Sequence, residues 1–404
     1  MKVSNTIKSL LVGLLTTSVF AQQNPGEIVP QNTYVGMRSS LSGAGISNRE
    51  GEFYNAENPA LHSFYDKAVF TGSLGYSELA ISKKDALQSS ISLKQFAFLF
   101  PVSFLNIGAA YKEEALINSS FTNSDSLLIQ ETGNLASARG QVAARWNNFG
   151  LGTSINYFFG SSRTLLRIPV QAEEFDPYSF MSEEAKFELE GTNLTNSLYA
   201  EFGVWGVTAS YTTALTLEKK ITRKQRILGQ SSTDSTILNS GQHSVRTIKN
   251  TMNSSEIPAE LAVGLAYIPK RLNRVFLDFK TQLSPTKIAG QNKQGLQKST
   301  VDREYNADFQ ASIGYSFGAS KKMFETIWKR TAVHVGLSYE QYLETPLAGA
   351  AAGFSFPLGK RGARVDVSTY NKFNLDEDFR LAQSGFDLTL VGLGNWGQPS
   401  RRYR

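Results

Sequence analysis

The sequence predicts an all-β protein, a transmembrane β-barrel of about 14 antiparallel strands whose lumen is filled by an N-terminal plug. Three observations support this prediction. The chain begins with an export signal, its apolar and polar residues alternate with a period of two from residue 67 onward, and its connections alternate between short and long. A period of two places successive side chains on opposite faces of a strand, and closed barrels are the β-structures that cross bilayers.

The first 21 residues have the organisation of a secretory signal peptide. Lys2 and Lys8 form a basic start, Leu10 to Val19 is apolar, and Val19 and Ala21 are small residues before the expected cleavage point. The apolar run is too short to span a bilayer. We therefore expect export, with residues 1–21 as the signal peptide and the bacterial outer membrane as the destination.

Composition excludes several functional classes. The 404 residues include no cysteine, which excludes a disulfide-stapled domain, a thiol enzyme and a cysteine metal site. The net charge of +6 is modest and does not indicate a nucleic-acid partner. Aromatic residues and glycine are abundant, and no long apolar run follows the signal, so we expect any membrane crossing to be made by strands.

The alternation is clear in the segment 307–317. One face carries Phe309, Ala311, Ile313, Tyr315 and Phe317, and the opposite face is small or polar. Similar segments predict a barrel over residues 67–396. Residues 397–404 are expected to form a basic tail beyond the last strand. The predicted strand cores are 67–79, 88–100, 103–113, 135–147, 149–160, 186–203, 205–217, 257–268, 273–283, 304–317, 331–342, 347–357, 361–371 and 384–394.

Most even-numbered connections between strands are short, and most odd-numbered ones are long. The second, fourth, sixth, eighth and twelfth are tight, whereas we expect long polar loops at 114–134, 161–185, 218–256 and 284–303. Short turns at one rim and long loops at the other are typical of outer-membrane barrels. The tenth connection, 319–330, is longer and is expected to form a helical turn. The basic run 218–226 would face lipopolysaccharide or solvent.

Residues 22–66 precede the first predicted strand and contain the stretch FYNAENPAL. They are rich in Gly and Asn and poor in branched apolar residues, which argues against a strand. Phe53, Tyr54 and Leu61 lie close together there, and disordered tails are poor in aromatic and large apolar residues. Asn58-Pro59 predicts a turn. We therefore expect a folded plug inside the lumen.

Residues 36–64, GMRSSLSGAGISNREGEFYNAENPALHSF, resemble the N-terminal hatch of FadL-type outer-membrane transporters of hydrophobic compounds. The same element occurs in the related PorV and PorQ barrels of type IX secretion. The resemblance implies passive diffusion of a hydrophobic small molecule, fatty-acid-like or aromatic, through a plugged lumen. The PorV-like alternative implies a secretion component that binds a protein partner or cargo domain. A structural barrel without transport is a third possibility.

Two groups of residues are candidates for ligand binding. In the hatch they are Phe53, Tyr54, Asn58, Pro59 and Leu61, and the alternative is that these residues only wedge the plug in place. On the lumen side they are Arg139, Arg145, His334 and Arg364, which would bind a carboxylate ligand or else pair with the carboxylates of the lumen.

The sequence does not predict an enzyme. Gly314 to Gly318 matches the pattern G-x-S-x-G, but we interpret Ser316 as a lumen residue at a strand end. The three histidines are scattered, and no metal-ligand spacing occurs. We predict no catalytic residue, no metal and no cofactor. The expected partners are a hydrophobic small molecule, outer-membrane lipid and lipopolysaccharide, with a secretion-system protein under the alternative and no nucleic acid.

Overall fold

The structure is a computed structural model of the chain. It describes residues 34–35, 37–49, 53–81, 86–122, 128–169, 180–228, 246–269, 273–284, 286–292, 299–305, 307–318, 326–342, 345–358, 363–374 and 381–394. The predicted signal peptide and the predicted basic tail lie outside the described residues.

Within these described ranges, eighteen strand segments make up one antiparallel sheet. They are β1 (Ala68–Ile81), β2 (Ala86–Val102), β3 (Leu105–Thr122), β4 (Leu128–Trp146), β5 (Phe149–Pro169), β6 (Phe180–Phe202), β7 (Trp205–Thr212), β8 (Leu215–Leu228), β9 (Arg246–Ile257), β10 (Glu260–Tyr267), β11 (Asn273–Gln282), β12 (Thr286–Asn292), β13 (Ser299–Tyr305), β14 (Phe309–Gly318), β15 (Ala332–Tyr342), β16 (Thr345–Leu358), β17 (Ala363–Asn374) and β18 (Leu381–Gly394).

These segments form 14 barrel strands. The segments β7 and β8 both pair with β6, so they are two parts of one strand with a break at residues 213–214. Three more strands are divided in the same way, namely β9 with β10, β11 with β12, and β13 with β14. In each case the two segments pair with the two segments of the neighbouring strand. Because β1 pairs with β18 over its whole length, the sheet closes on itself. The predicted 14-stranded antiparallel barrel is confirmed.

The two faces of the barrel wall differ as the alternation predicts. On β5, Leu151, Ile155 and Tyr157 are exposed on the outer face, while Ser154 and Asn156 are buried on the inner face. Exposed aromatic side chains cluster at the rim of short turns: Phe104, Trp146, Phe149, Phe202, Trp205 and Tyr267. An outward apolar band with aromatic residues at its edge is the surface that a barrel presents to a bilayer. The chain is therefore an outer-membrane barrel.

The strands extend further than predicted at the opposite rim. Most of the expected loops at 114–134, 161–185 and 218–256 are instead paired strand, as are parts of 284–303. This expectation was wrong because apolar alternation ends where the wall leaves the bilayer, whereas backbone pairing continues. We call the paired segments beyond the apolar band the collar, comprising residues 115–122, 128–135, 160–169, 180–190, 215–228, 246–257, 286–292 and 299–305.

The hatch, residues 37–65, contains the helix α1 (Met37–Ser40) and a 3₁₀ helix, η1 (Pro59–Phe64). Nearly all of its described side chains are buried, and they contact inward-facing residues from both halves of the wall. A second short helix, α2 (Ile327–Arg330), lies in the tenth connection, where a helical turn was expected. Among the described residues, no helix is long and apolar enough to cross a membrane.

Candidate functional site

Asn58 organises the centre of the hatch. Its side-chain oxygen accepts the Leu61 N–H and caps η1, and Pro59 follows at the first helical position. Its side-chain nitrogen donates to the Ile46 carbonyl at 2.8 Å and to Thr208 Oγ1 on the wall at 2.9 Å. One fully buried amide therefore caps the start of η1, joins two parts of the hatch and hydrogen-bonds the hatch to the barrel wall.

The aromatic and aliphatic hatch candidates pack against the wall. Phe53 lies in an apolar cluster with Leu99, and Leu61 lies in a cluster with Tyr199. Tyr54 stacks on His62 with ring centroids 5.1 Å apart. The structure brings all five predicted hatch residues together, in the packing between hatch and wall: Phe53, Tyr54, Asn58, Pro59 and Leu61. Their role in ligand binding stays a prediction.

His62 was not predicted as a hatch residue of interest, yet it lies at the hatch centre. The backbone N–H of Asn55 donates to its Nε2 at 2.8 Å, so the proton of the neutral ring is on Nδ1, which faces the side-chain amide of Gln141. Burial holds the pKa of His62 well below its usual range, although the contact with Gln141 opposes this effect. His62 is therefore a neutral hydrogen-bonding residue.

Glycines on the wall allow the hatch backbone to approach the strands. A Cβ built on Gly336 would lie 2.1 Å from the carbonyl carbon of Leu41, and one built on Gly152 would lie 2.3 Å from the Ala60 nitrogen. The neighbouring atoms are backbone in both cases, so no side-chain rotation could make room. These wall positions accept only glycine while the hatch keeps this position.

The side of the hatch that faces the collar carries charge. Arg38 pairs with Glu57 at 3.1 Å and donates from Nη2 to the Gly43 carbonyl at 2.7 Å. Burial alone would raise the pKa of Glu57, but Arg38 and Lys280 hold it well below its usual range. The cavity beside this pair measures about 10 Å³, room for a single water rather than for an organic ligand.

Ion pairs on the wall surround the charged side of the hatch at a similar height. They are Lys94–Asp387 at 2.6 Å, Lys280–Glu260 at 2.8 Å, Lys372–Glu340 at 2.7 Å, Lys112–Glu114 at 3.0 Å and Arg139–Glu114. Arg139, predicted from the sequence, also donates to the Ala56 carbonyl of the hatch at 3.2 Å. It therefore connects a wall carboxylate with the hatch.

An apolar group lines the lumen directly beyond these charges. The inner apolar cluster consists of Ala115, Leu135, Phe158, Leu189, Leu215 and Leu217, with Ile257 packed against it. Its members come from β3, β4, β5, β6 and β8 and meet at the base of the collar. Sequence reasoning missed this cluster, although Phe158 interrupts an otherwise polar inward series on β5.

The charges and the inner apolar cluster are adjacent along the wall. Phe158 is the cross-strand partner of Ser137, whose hydroxyl donates to Glu114 Oε1 at 2.6 Å and accepts from Arg139 Nε at 3.0 Å. Glu114 itself directly precedes Ala115 in the chain. A molecule with an apolar body and a polar or charged end would find both surfaces at this junction.

A model of the BamG family matches residues 29–369 of the chain. The chain belongs to the BamG family. No curated protein matches this BamG-family chain in sequence.

Several solved structures share the fold of this BamG-family chain. A Pseudomonas aeruginosa FadL homologue is 10% identical with a TM-score of 0.65, over 91% of this chain and 99% of that one. The monoaromatic hydrocarbon channel CymD is 12% identical, with a TM-score of 0.64, over 92% and 100%. The Pseudomonas putida toluene transporter TodX is 16% identical, with a TM-score of 0.61, over 92% and 100%. The predicted FadL-type resemblance is confirmed in fold.

The remaining predicted lumen residues of the BamG-family barrel lie away from the junction. Arg145 stacks over the Phe64 ring at 4.4 Å, near the rim of short turns. His334 and Arg364 are close to the same rim, on β15 and β17. The four predicted lumen residues therefore do not form one site, and only Arg139 borders the inner apolar cluster. Among the described residues, no group of His, Asp or Glu side chains could hold a metal ion.

Proposed function

We propose that this barrel takes up hydrophobic small molecules, including amphipathic ones with an acidic end, and lets them diffuse passively through its lumen. The observation that carries the proposal is the inner apolar cluster beside Arg139 and Glu114. It is an inward apolar cluster that lies on the collar side of the hatch charges rather than against the hatch itself. Its members are at most 9% exposed, so in this proposal a hydrophobic ligand that enters from the collar separates them as it binds.

The affinity would come mainly from burial of the ligand itself. Each CH₂ group that leaves water contributes about 0.8 kcal/mol, and part of this gain offsets the contacts that the cluster residues lose with one another. An acidic end group would lie toward Arg139 and Lys112, the two cations that pair with Glu114. A neutral aromatic compound would use the apolar part alone.

The hatch lies in the path of such a ligand. Phe53, Tyr54 and Leu61 are buried, so in this proposal a ligand reaches them only after the hatch shifts from the wall. The hatch thus acts as the element that slows passage, and these side chains contact the ligand after it has passed the inner apolar cluster.

Uptake of labelled decanoate and toluene by proteoliposomes tests the proposal. Leu189→Gln places an amide in the inner apolar cluster, and we expect uptake of both compounds to fall roughly tenfold or more. Asn193→Gln changes another inward residue of the same strand and serves as the matched control, with uptake unchanged. Both variants must show wild-type heat-modifiable migration on gels. Unchanged uptake in a folded Leu189→Gln barrel would exclude the cluster from transport.

The collar favours a second candidate function, the binding of a protein partner. Its outward face is paired sheet that carries exposed charges, including the pairs Lys186–Glu188 at 2.9 Å and Lys220–Glu190 at 3.7 Å. Passage of a small molecule does not require such a surface, whereas a secretion partner or lipopolysaccharide could bind it. Mass spectrometry of the protein purified from its native outer membrane shows whether a protein or lipopolysaccharide is bound. A stoichiometric protein that is lost on Lys186→Glu would favour this candidate.

A further inference from the structure

A polar pair interrupts the apolar outer face of the wall on β5 and β6. Thr153 and Asn196 are cross-strand partners, and both side chains are exposed on this face. Thr153 Oγ1 donates to Asn196 Oδ1 at 2.9 Å. The nearest outward residues on the same two strands are exposed and apolar: Leu151, Ile155, Leu194 and Leu198. An amide thus lies in a surface that otherwise suits hydrocarbon.

Asn196 is close to the middle of the apolar band. It is six residues from Phe202, whose exposed ring marks the rim of short turns, and six residues from Glu190, where the collar begins. Six strand residues extend about 20 Å along the strand, or about 15 Å along the membrane normal at a typical strand tilt. In an apolar band about 25 Å tall, the Asn196 side chain therefore lies near the centre.

The amide of Asn196 is only partly satisfied within the chain. Its oxygen accepts from Thr153, and its nitrogen has no hydrogen-bond acceptor among the residues that the structure describes. Hydrocarbon offers no acceptor either, so an amide N–H left against lipid is costly. Polar side chains at membrane depth hydrogen-bond across contacts between transmembrane segments. A second protein surface therefore satisfies this amide better than lipid does.

Small residues lie on both sides of the polar pair. Ala209 on β7 is the exposed cross-strand partner of Leu198, and Ala138 and Gly140 face outward on β4. A Cβ added to Gly140 would meet nothing within 4 Å. Small residues at an intramembrane contact allow two backbones to approach closely. A second barrel wall can therefore come near enough to bring a polar group to Asn196.

The chemistry of the amide selects a second copy of the same chain as the partner. A carboxamide has both donor hydrogens and an acceptor oxygen with two lone pairs, so it is self-complementary. In a two-fold dimer the same residue meets its own copy. Each Asn196 nitrogen then donates to the oxygen of the other copy, and both bonds from Thr153 are kept. A charged partner side chain at this depth would be far more costly.

We propose that Asn196 is the centre of an intramembrane interface between two copies of this barrel, formed by the outer faces of β5, β6 and β7. Leu198 and Ala209 lie beside the two-fold axis in this dimer, and Thr153 holds the orientation of the amide. The interface uses the outer wall alone. It therefore does not depend on the transport of hydrophobic compounds proposed above.

Cysteine cross-linking tests the interface directly, because the chain contains no cysteine of its own. Leu198→Cys places a single thiol beside the proposed contact. Leu390→Cys on β18 is the matched control, since both leucines are 43% exposed and each lies four residues from the short-turn end of its strand. In native outer membranes treated with a short bismaleimide, we expect a homodimer from Leu198→Cys and roughly tenfold less from Leu390→Cys.

A second substitution separates a specific contact from chance collision. Asn196→Leu removes the amide and suits the lipid, so the barrel should keep its heat-modifiable migration while the Leu198→Cys cross-link falls roughly tenfold or more. Sedimentation in a mild detergent should show a dimer for the wild type and a monomer for Asn196→Leu. The proposal is overturned if the cross-link joins a different protein, if Asn196→Leu leaves it unchanged, or if the wild type is a monomer by both methods.

Discussion

Replacing Gly152 by alanine tests whether close backbone approach holds the hatch against the wall. The added Cβ would lie 2.3 Å from the Ala60 nitrogen and 2.4 Å from the carbonyl carbon of Pro59. Ordinary van der Waals contact begins at 3.4 Å, so the hatch and β5 must separate by about 1 Å. Neither neighbouring atom can rotate away, because both belong to the hatch backbone.

The expected cost follows from two contributions. Overpacking of this kind costs about 1–3 kcal/mol. A separation of about 1 Å also breaks the hydrogen bond from the Ala60 N–H to Ser197 Oγ, now 2.7 Å long, which is worth about 1 kcal/mol. The sum of about 2–4 kcal/mol would raise the population of the displaced hatch roughly 30- to 700-fold.

Limited proteolysis of the hatch in the folded barrel measures this population, because cleavage follows the open fraction when opening and closing are fast. The matched control is Gly140→Ala on β4, where an added Cβ meets nothing within 4 Å. We expect the control to be cleaved at the wild-type rate. A Gly152→Ala hatch that is cleaved no faster than the control would refute the reasoning, provided that both barrels keep their heat-modifiable migration.

Three further predictions concern the buried polar groups. Lys94→Met leaves the carboxylate of Asp387 buried and unpaired, and we expect the free energy of barrel unfolding in urea to fall by about 3–5 kcal/mol. Because the folded-state pKa of His62 is depressed, an opened hatch binds an extra proton. Protection of the hatch from proteolysis should therefore be complete above about pH 6.5 and weaken below it. A folded His62→Gln barrel that keeps the same pH dependence would contradict this. Asn58→Ala removes the cap of η1 and the bond to Thr208, and proteolysis should show a loss of about 1–3 kcal/mol in hatch stability.

The barrel was predictable because its signal is local. Alternation alone located 14 strand cores, since each strand must present one face to lipid and one to the lumen. The collar was not predictable in this way. Beyond the bilayer the outer face of a strand meets polar surroundings, so segments such as 218–228 lose the apolar alternation while their backbone remains paired.

The candidate site was only partly predictable. Asn58-Pro59 indicated a turn, and the structure shows a capped 3₁₀ helix there. Arg139 was expected in the lumen, but its pairing with Glu114 and its bond to the hatch depend on strand register and on a bulge after residue 113. The bulge shifts the alternation in β3 and turns Ala115 toward the lumen. A pattern read along one strand does not contain that information.

By itself, the sequence determined the class of the protein, the number of strands, the inward and outward faces of the wall and the presence of a Gly- and Asn-rich hatch segment. These properties depend on residues close together in the chain. The tertiary structure alone decided which inward residues meet: Phe158 with Leu215 in the inner apolar cluster, and Gly336 with the backbone of Leu41. Those contacts join residues far apart in the chain, and barrel closure and register bring them within reach.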